Sequence, residues 1–105
     1  MQIRELADNL SAKIVVDAEG VDVNDFYAGD FLSRVIGKAP AKSAWFTIMN
    51  NVNVAGVASL AEISAIVLCE GVEPVSVLIE KCKENGIALL VTSLDVYSAC
   101  VKARG

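Results

Sequence analysis

The chain has 105 residues, 54% of them hydrophobic and 21% charged, with a mean hydropathy of +0.51 and a formal net charge of −4. That length suits one domain, 1–105, with a single core, and the apolar surplus suits a sheet covered on both faces or a surface reserved for a partner. The acidic balance and the lack of a basic run exclude nucleic acid and anionic membrane as expected partners, and the absence of histidine removes the commonest general base and metal ligand at once.

In chain order, Ile3, Leu6, Ala7 and Leu10 fall at i, i+3, i+4 and i+7, one face of a short first helix. The charges at Arg4, Glu5 and Asp8 leave no apolar stretch for a signal peptide, and no run approaches the ~18 apolar residues of a membrane span. A cytoplasmic protein is therefore expected. Ile14-Val15-Val16 reads as a strand, Ala18-Glu19-Gly20 as a turn, and Val21-Asp22-Val23 as a short extended piece.

The stretch Tyr27-Ala28-Gly29-Asp30 opens a helical pattern, with Asp30 expected to cap it, Leu32, Val35 and Ile36 as its inner stripe, and Gly37 as its end. Pro40 forbids continuation. A small-residue turn entering a helix is where phosphate is often cradled. Here the Asp30 carboxylate would occupy the free N–H groups itself and repel a phosphate, so a structural turn is the better reading.

Ala44 to Met49 follows as a strand rich in aromatic and β-branched residues. Asn53 is placed to cap a helix carrying Val54, Val57, Ala58 and Ala61, and Ala65-Ile66-Val67-Leu68-Cys69 is a continuous apolar strand. Pro74 suits a first helical turn, ahead of Val75, Leu78, Ile79 and Cys82, with Gly86 as the stop. Ile87 to Val91 is another apolar strand, and Ser93 is placed to cap a last helix with Asp95 in its first turn. Cys69, Cys82 and Cys100 each sit in an apolar pattern without C-x-x-C spacing, so buried free thiols are expected rather than ligands.

The strands starting at 44, 65 and 87 are about 21 residues apart, and each is followed by a helix. Continuous apolar strands of this kind imply burial on both faces and parallel pairing through right-handed crossovers. The predicted fold is α/β, a compact three-layer sandwich with a mostly parallel sheet of four or five strands and helices on both faces.

No glycine-rich nucleotide motif is present: G-x-G-x-x-G is missing, and Gly37-Lys38 is followed by Ala39 rather than Ser or Thr. The acidic pairs Asp22 with Asp25 and Glu70 with Glu73 fall in turns, where solvated carboxylates are the rule, so no metal is expected. No cofactor is expected either. An enzyme would need Asp25 or Asp30 as its base, and their spacing does not demand that. In an open parallel sheet, ligands collect beyond the carboxyl ends of the strands. Those ends carry Asn50, Asn51, Asn53, Thr92 and Ser93, neutral hydrogen-bonding groups that either contact a ligand or only cap helices and turns. Five of the six aromatics lie between 26 and 46. Trp45 and Phe46 are adjacent on a strand and point to opposite faces. Phe26, Tyr27, Phe31 and Trp45 are thus candidates for a self-association patch, the alternative being one thick end of a two-sided core.

Tyr27 to Ser33, Trp45 to Ile48, Asn53 to Ala58, Ala65 to Gly71, Pro74 and Gly86 to Ser93 together resemble the DRTGG-domain family over about 27 to 104. The amino-terminal domain of HPr kinase/phosphorylase and the substrate-binding domain of Mur ligases are similar. The resemblance implies a non-catalytic accessory or regulatory α/β module that forms homodimers and binds a partner enzyme or a small nucleotide-like ligand. A nucleotide- or phosphometabolite-sensing domain is the alternative. The Thr-Gly-Gly of the family signature is replaced by Asn24-Asp25-Phe26, and the His-Pro of the next loop by Asn51-Val52.

Overall fold

The computed structural model describes residues 1–105. Ten elements follow one another: α1 (Ile3–Leu10), β1 (Lys13–Val16), β2 (Asp25–Ala28), α2 (Leu32–Lys38), β3 (Ser43–Thr47), α3 (Val52–Leu60), β4 (Ala65–Leu68), α4 (Ser76–Asn85), β5 (Ala88–Val91) and α5 (Val96–Lys102). The sheet runs β1-β5-β4-β3-β2. β2, β3, β4 and β5 are parallel, and β1 joins β5 antiparallel.

From β2 to β5 each step moves one strand in the same direction. Crossovers of one hand then lay their helices on one face. The core splits accordingly. Val35, Trp45, Val54, Ile66, Leu68, Leu78 and Leu89 pack with α2, α3 and α4, whereas Leu6, Leu10, Phe46, Val67, Leu90 and Ala99 pack with α1 and α5. The register lines up Tyr27, Trp45, Ile66 and Leu89 in one row across the sheet. The neighbouring row, on the α1/α5 side, is Phe26 followed by Ala44, Ala65 and Ala88. Three successive alanines leave room for the two helices to pack closely there. Trp45 and Phe46 are both fully buried, one in each half of the core.

The α/β sandwich is as expected, but several local readings change. The short strand β2 falls where a turn is predicted: an edge position needs no continuous apolar run, and Asn24-Asp25 resembles turn chemistry. Val21 to Val23, read as a short extended piece, makes one isolated antiparallel bridge, from Asp22 to Gln2. The caps shift by one or two residues. Asn51, not Asn53, caps α3, its Oδ1 accepting from the Asn53 N–H at 3.0 Å. Asp95, not Ser93, caps α5, accepting from the Ser98 N–H at 2.7 Å. Phe31 occupies the α2 cap without a side-chain bond, because the Asp30 carboxylate is engaged elsewhere. α2 runs past Gly37 to Lys38, and Pro74 precedes the α4 cap at Val75. Gly86 does end α4, in the left-handed region at φ 66°. Cys69 and Cys82 are buried, but Cys100 lies on the exposed side of α5.

Candidate functional site at the carboxyl rim of the sheet

Beyond the parallel strand ends lie four connections: Gly29 to Phe31 after β2, Ile48 to Asn51 after β3, Cys69 to Val75 after β4, and Thr92 to Asp95 after β5. Each is stitched to a neighbour. Asp30 Oδ1 accepts from Thr47 Oγ1 at 2.6 Å and from the Ile48 N–H at 3.1 Å. The buried Trp45 indole donates to the Gly29 carbonyl at 2.8 Å. Asn50 uses both ends of its amide, donating from Nδ2 to the Glu73 carbonyl at 2.5 Å and accepting the Val75 N–H on Oδ1 at 2.9 Å. The Glu70 and Gly71 N–H groups bond to the Leu94 and Thr92 carbonyls at 2.8 and 3.0 Å. Thr92 Oγ1 donates to the Leu10 carbonyl at 2.9 Å and accepts from the Leu94 N–H at 3.2 Å.

The five neutral residues expected to meet a ligand are therefore placed unequally. Asn50, Asn51 and Thr92 spend their side chains on loop-to-loop, cap and loop-to-helix bonds. Asn53, in the first turn of α3, and Ser93, in the connection after β5, are exposed. A lateral stitch of this kind is hard to read from sequence, because Asn50 and Val75 are 25 residues apart.

With the polar groups turned inward, apolar side chains face out. Phe31 is 69% exposed, and Ile48, Val52 and Val75 are each at least 40% exposed along the same rim. Between them stand Asp30, Glu70, Glu73 and Asp95, and none of the four connections holds a Lys or Arg. The Cys69 thiol reports that field. It is pushed up to about 12, first by burial and then by Cys100, Glu70, Asp30 and Asp95. Asp95 itself is held below the ordinary carboxylate range by the Ser98 backbone N–H and then by the Ser98 side chain.

Of the four aromatics expected at an association patch, Trp45 is fully buried and has no surface to offer. Phe26 and Tyr27 are half-buried on β2, and Phe31 is exposed. Phe26 lies 6.2 Å from the Phe46 ring and carries the Arg104 guanidinium 4.7 Å above its centre. The chain's two hollows, of about 370 and 280 Å³, open at the opposite edge of the sheet. One is lined by Arg4, Asp17, Glu19 and Asp22, the other by Lys42, Glu62 and Asn85.

No protein-family model and no curated protein sequence matches this chain. Among solved structures, the chain is similar to the CBS and DRTGG domains of the regulatory region of Clostridium perfringens pyrophosphatase, a structure complexed with the activator diadenosine tetraphosphate. The two share 14% sequence identity at a TM-score of 0.76, over 97% of this chain and 45% of that one. The likeness is one of fold. This chain spans less than half the length of that regulatory region.

Proposed function

We propose that the chain is a non-catalytic, cytoplasmic regulatory module that homodimerises and binds a partner protein at the carboxyl rim of its sheet. The observation that carries this reading is the inversion of the rim. The side chains of Asn50, Asn51 and Thr92 are consumed by stitching, and the outward surface is Phe31, Ile48, Val52 and Val75 among uncompensated carboxylates. An apolar surface with a negative margin suits a protein partner with an apolar centre and a basic border. It suits a phosphate poorly, since bringing an anion to four carboxylates opposes the field of the site. The absence of histidine and of any glycine-rich phosphate loop supports the non-catalytic part.

A nucleotide- or phosphometabolite-sensing function is the second reading. It is favoured by the nucleotide activator bound to the similar pyrophosphatase region. Asn51, Asn53, Thr92 and Ser93 would be its contacts. A thermal-denaturation panel of nucleotides, diadenosine tetraphosphate and acyl phosphates separates the two. A ligand at 100 times its Kd adds about 2.7 kcal/mol of stability. The partner-binding reading predicts no shift with any of them, and a saturable shift would replace it with the sensor.

A further inference from the structure

The smaller of the two hollows, of about 280 Å³, lies at the end of the sheet away from the rim, where the chain enters β3, β4 and β5. Its apolar lining includes Ala58, Ile63 and Ile87, all buried. Around them stand the exposed Lys42, Ser59, Glu62 and Asn85. Lys42 and Glu62 carry opposite charges and are bonded through their backbones, the Lys42 N–H donating to the Glu62 carbonyl at 2.7 Å. Their side chains are not paired: the chain's one ion pair joins Lys81 to Glu84. Asn85 donates from Nδ2 to the Lys81 carbonyl at 2.9 Å, which leaves its Oδ1 as a free acceptor.

The two charged residues share a second property. Lys42 and Glu62 both adopt the left-handed region, at φ 62° and 56°. The matching entry to β5 is made by Gly86 at φ 66°, and a glycine reaches that region without a steric penalty. A residue with a Cβ is destabilised there, and outliers of this kind gather at ligand clamps. Here two of them, of opposite sign, line one hollow.

We propose that this hollow binds a small zwitterion, an aliphatic α-amino acid. Lys42 takes the carboxylate, and Glu62 with Asn85 Oδ1 takes the ammonium, an acceptor-only pair against a group that only donates. The aliphatic side chain lies on Ala58, Ile63 and Ile87. A ligand with a single charge would answer only one of the two clamps. Small-molecule sites run from about 300 to 1,000 Å³, so a hollow at the lower end suits an amino acid better than a nucleotide. Both charges are exposed to water, so the binding is weak and weakens further with added salt.

The test is a ¹H–¹⁵N titration of the chain at constant ionic strength with L-valine, isobutylamine and 3-methylbutanoate. The last two keep the branched chain of valine and one charge each. Valine should give saturable shifts at the amides of Lys42, Ser59, Ser64 and Gly86. Each single-charge analogue should bind more weakly, by up to about fivefold for one exposed charge contact. Lys42→Gly and Glu62→Gly relieve the left-handed backbone, so both should fold, and each should weaken valine binding by a similar factor. The absence of saturable shifts at those four amides with valine overturns the proposal. So does equal affinity for valine and either analogue, or unchanged valine affinity in both glycine variants.

Discussion

Asp30 and Thr47 are joined side chain to side chain, Thr47 Oγ1 donating to Asp30 Oδ1 at 2.6 Å across the end of the sheet. Thr47 is fully buried, and its oxygen also accepts the Met49 N–H at 3.1 Å. The carboxylate that the sequence places on a helix N-terminus is instead a brace between the β2–α2 turn and the last residue of β3. Asp30→Ala would leave a buried hydroxyl and the Ile48 N–H short of an acceptor. The expected loss is about 1–3 kcal/mol, more than an exposed helix cap is worth. Urea denaturation measures it. Asp30→Asn, which retains an acceptor oxygen, should lose less; equal losses would mean that the charge rather than the bond matters.

Glu70 and Gly71 adopt the left-handed region one after the other, at φ 62° and 69°, and close a tight turn after β4. A Cβ built on Gly71 meets nothing within 4 Å, so Gly71→Ala isolates the backbone cost. That substitution should destabilise by about 1 kcal/mol, the left-handed penalty of a residue with a Cβ. Glu70→Gly relieves the same penalty and removes one of the rim's carboxylates. It should raise stability by up to about 1 kcal/mol after the extra unfolded-chain entropy of glycine is counted. A lower urea midpoint for Glu70→Gly would show that the glutamate side chain makes a contribution this account omits.

The thiols give a pH prediction of definite sign. Burial raises Cys82 to about 11, and burial with neighbouring negative charge raises Cys69 to about 12, from an ordinary value of 9.0. Below pH 9 both thiols are protonated in either state and their contribution to stability is complete. Above it the unfolded chain releases protons that the folded chain keeps. Stability therefore falls as pH rises from 9 towards 11 and 12. Comparing urea midpoints of the wild type and Cys82→Ala across that window checks it, the variant losing part of the slope. In the native protein, Cys100 should react first with a thiol reagent, since Cys69 and Cys82 are buried.

Thr92 predicts a linkage between the rim and the first helix. Its Oγ1 donates to the Leu10 carbonyl, tying the end of β5 to the end of α1. Thr92→Val keeps the shape but leaves that carbonyl and the Leu94 N–H without the hydroxyl, at an expected cost of about 1–3 kcal/mol. Amide exchange should then accelerate at the end of α1 as well as at Leu94. Acceleration at Leu94 alone would show that α1 is held independently.

The sandwich was legible because β3, β4 and β5 are buried on both faces, and such strands announce themselves as unbroken apolar runs. β2 was not, since it lies at an edge and carries Asp25 and the half-buried Phe26 and Tyr27. The strand-end loops were correctly located as an asparagine- and threonine-bearing rim. Their orientation was hidden, because whether Asn50 faces solvent or bonds Glu73 and Val75 depends on how the β3–α3 and β4–α4 loops abut. Composition showed the aromatic cluster but not its division. Trp45 finds its indole partner at Gly29 and is lost to the core, while Phe31 stays outside. Cys100 looked buried because it sits in an apolar pattern four residues after Val96, yet it shares the outward side of α5 with Tyr97 and Val101.

The claim on which the account turns is that the rim is a protein-docking surface and not an anion site. A ¹H–¹⁵N spectrum of the chain, titrated with diadenosine tetraphosphate and separately with inorganic phosphate, tests it residue by residue. The account predicts that the amides of Val52, Asn53, Ser93 and Leu94 stay in place throughout both titrations. Saturable shifts at those four amides would contradict it and assign the rim to a phosphorylated ligand.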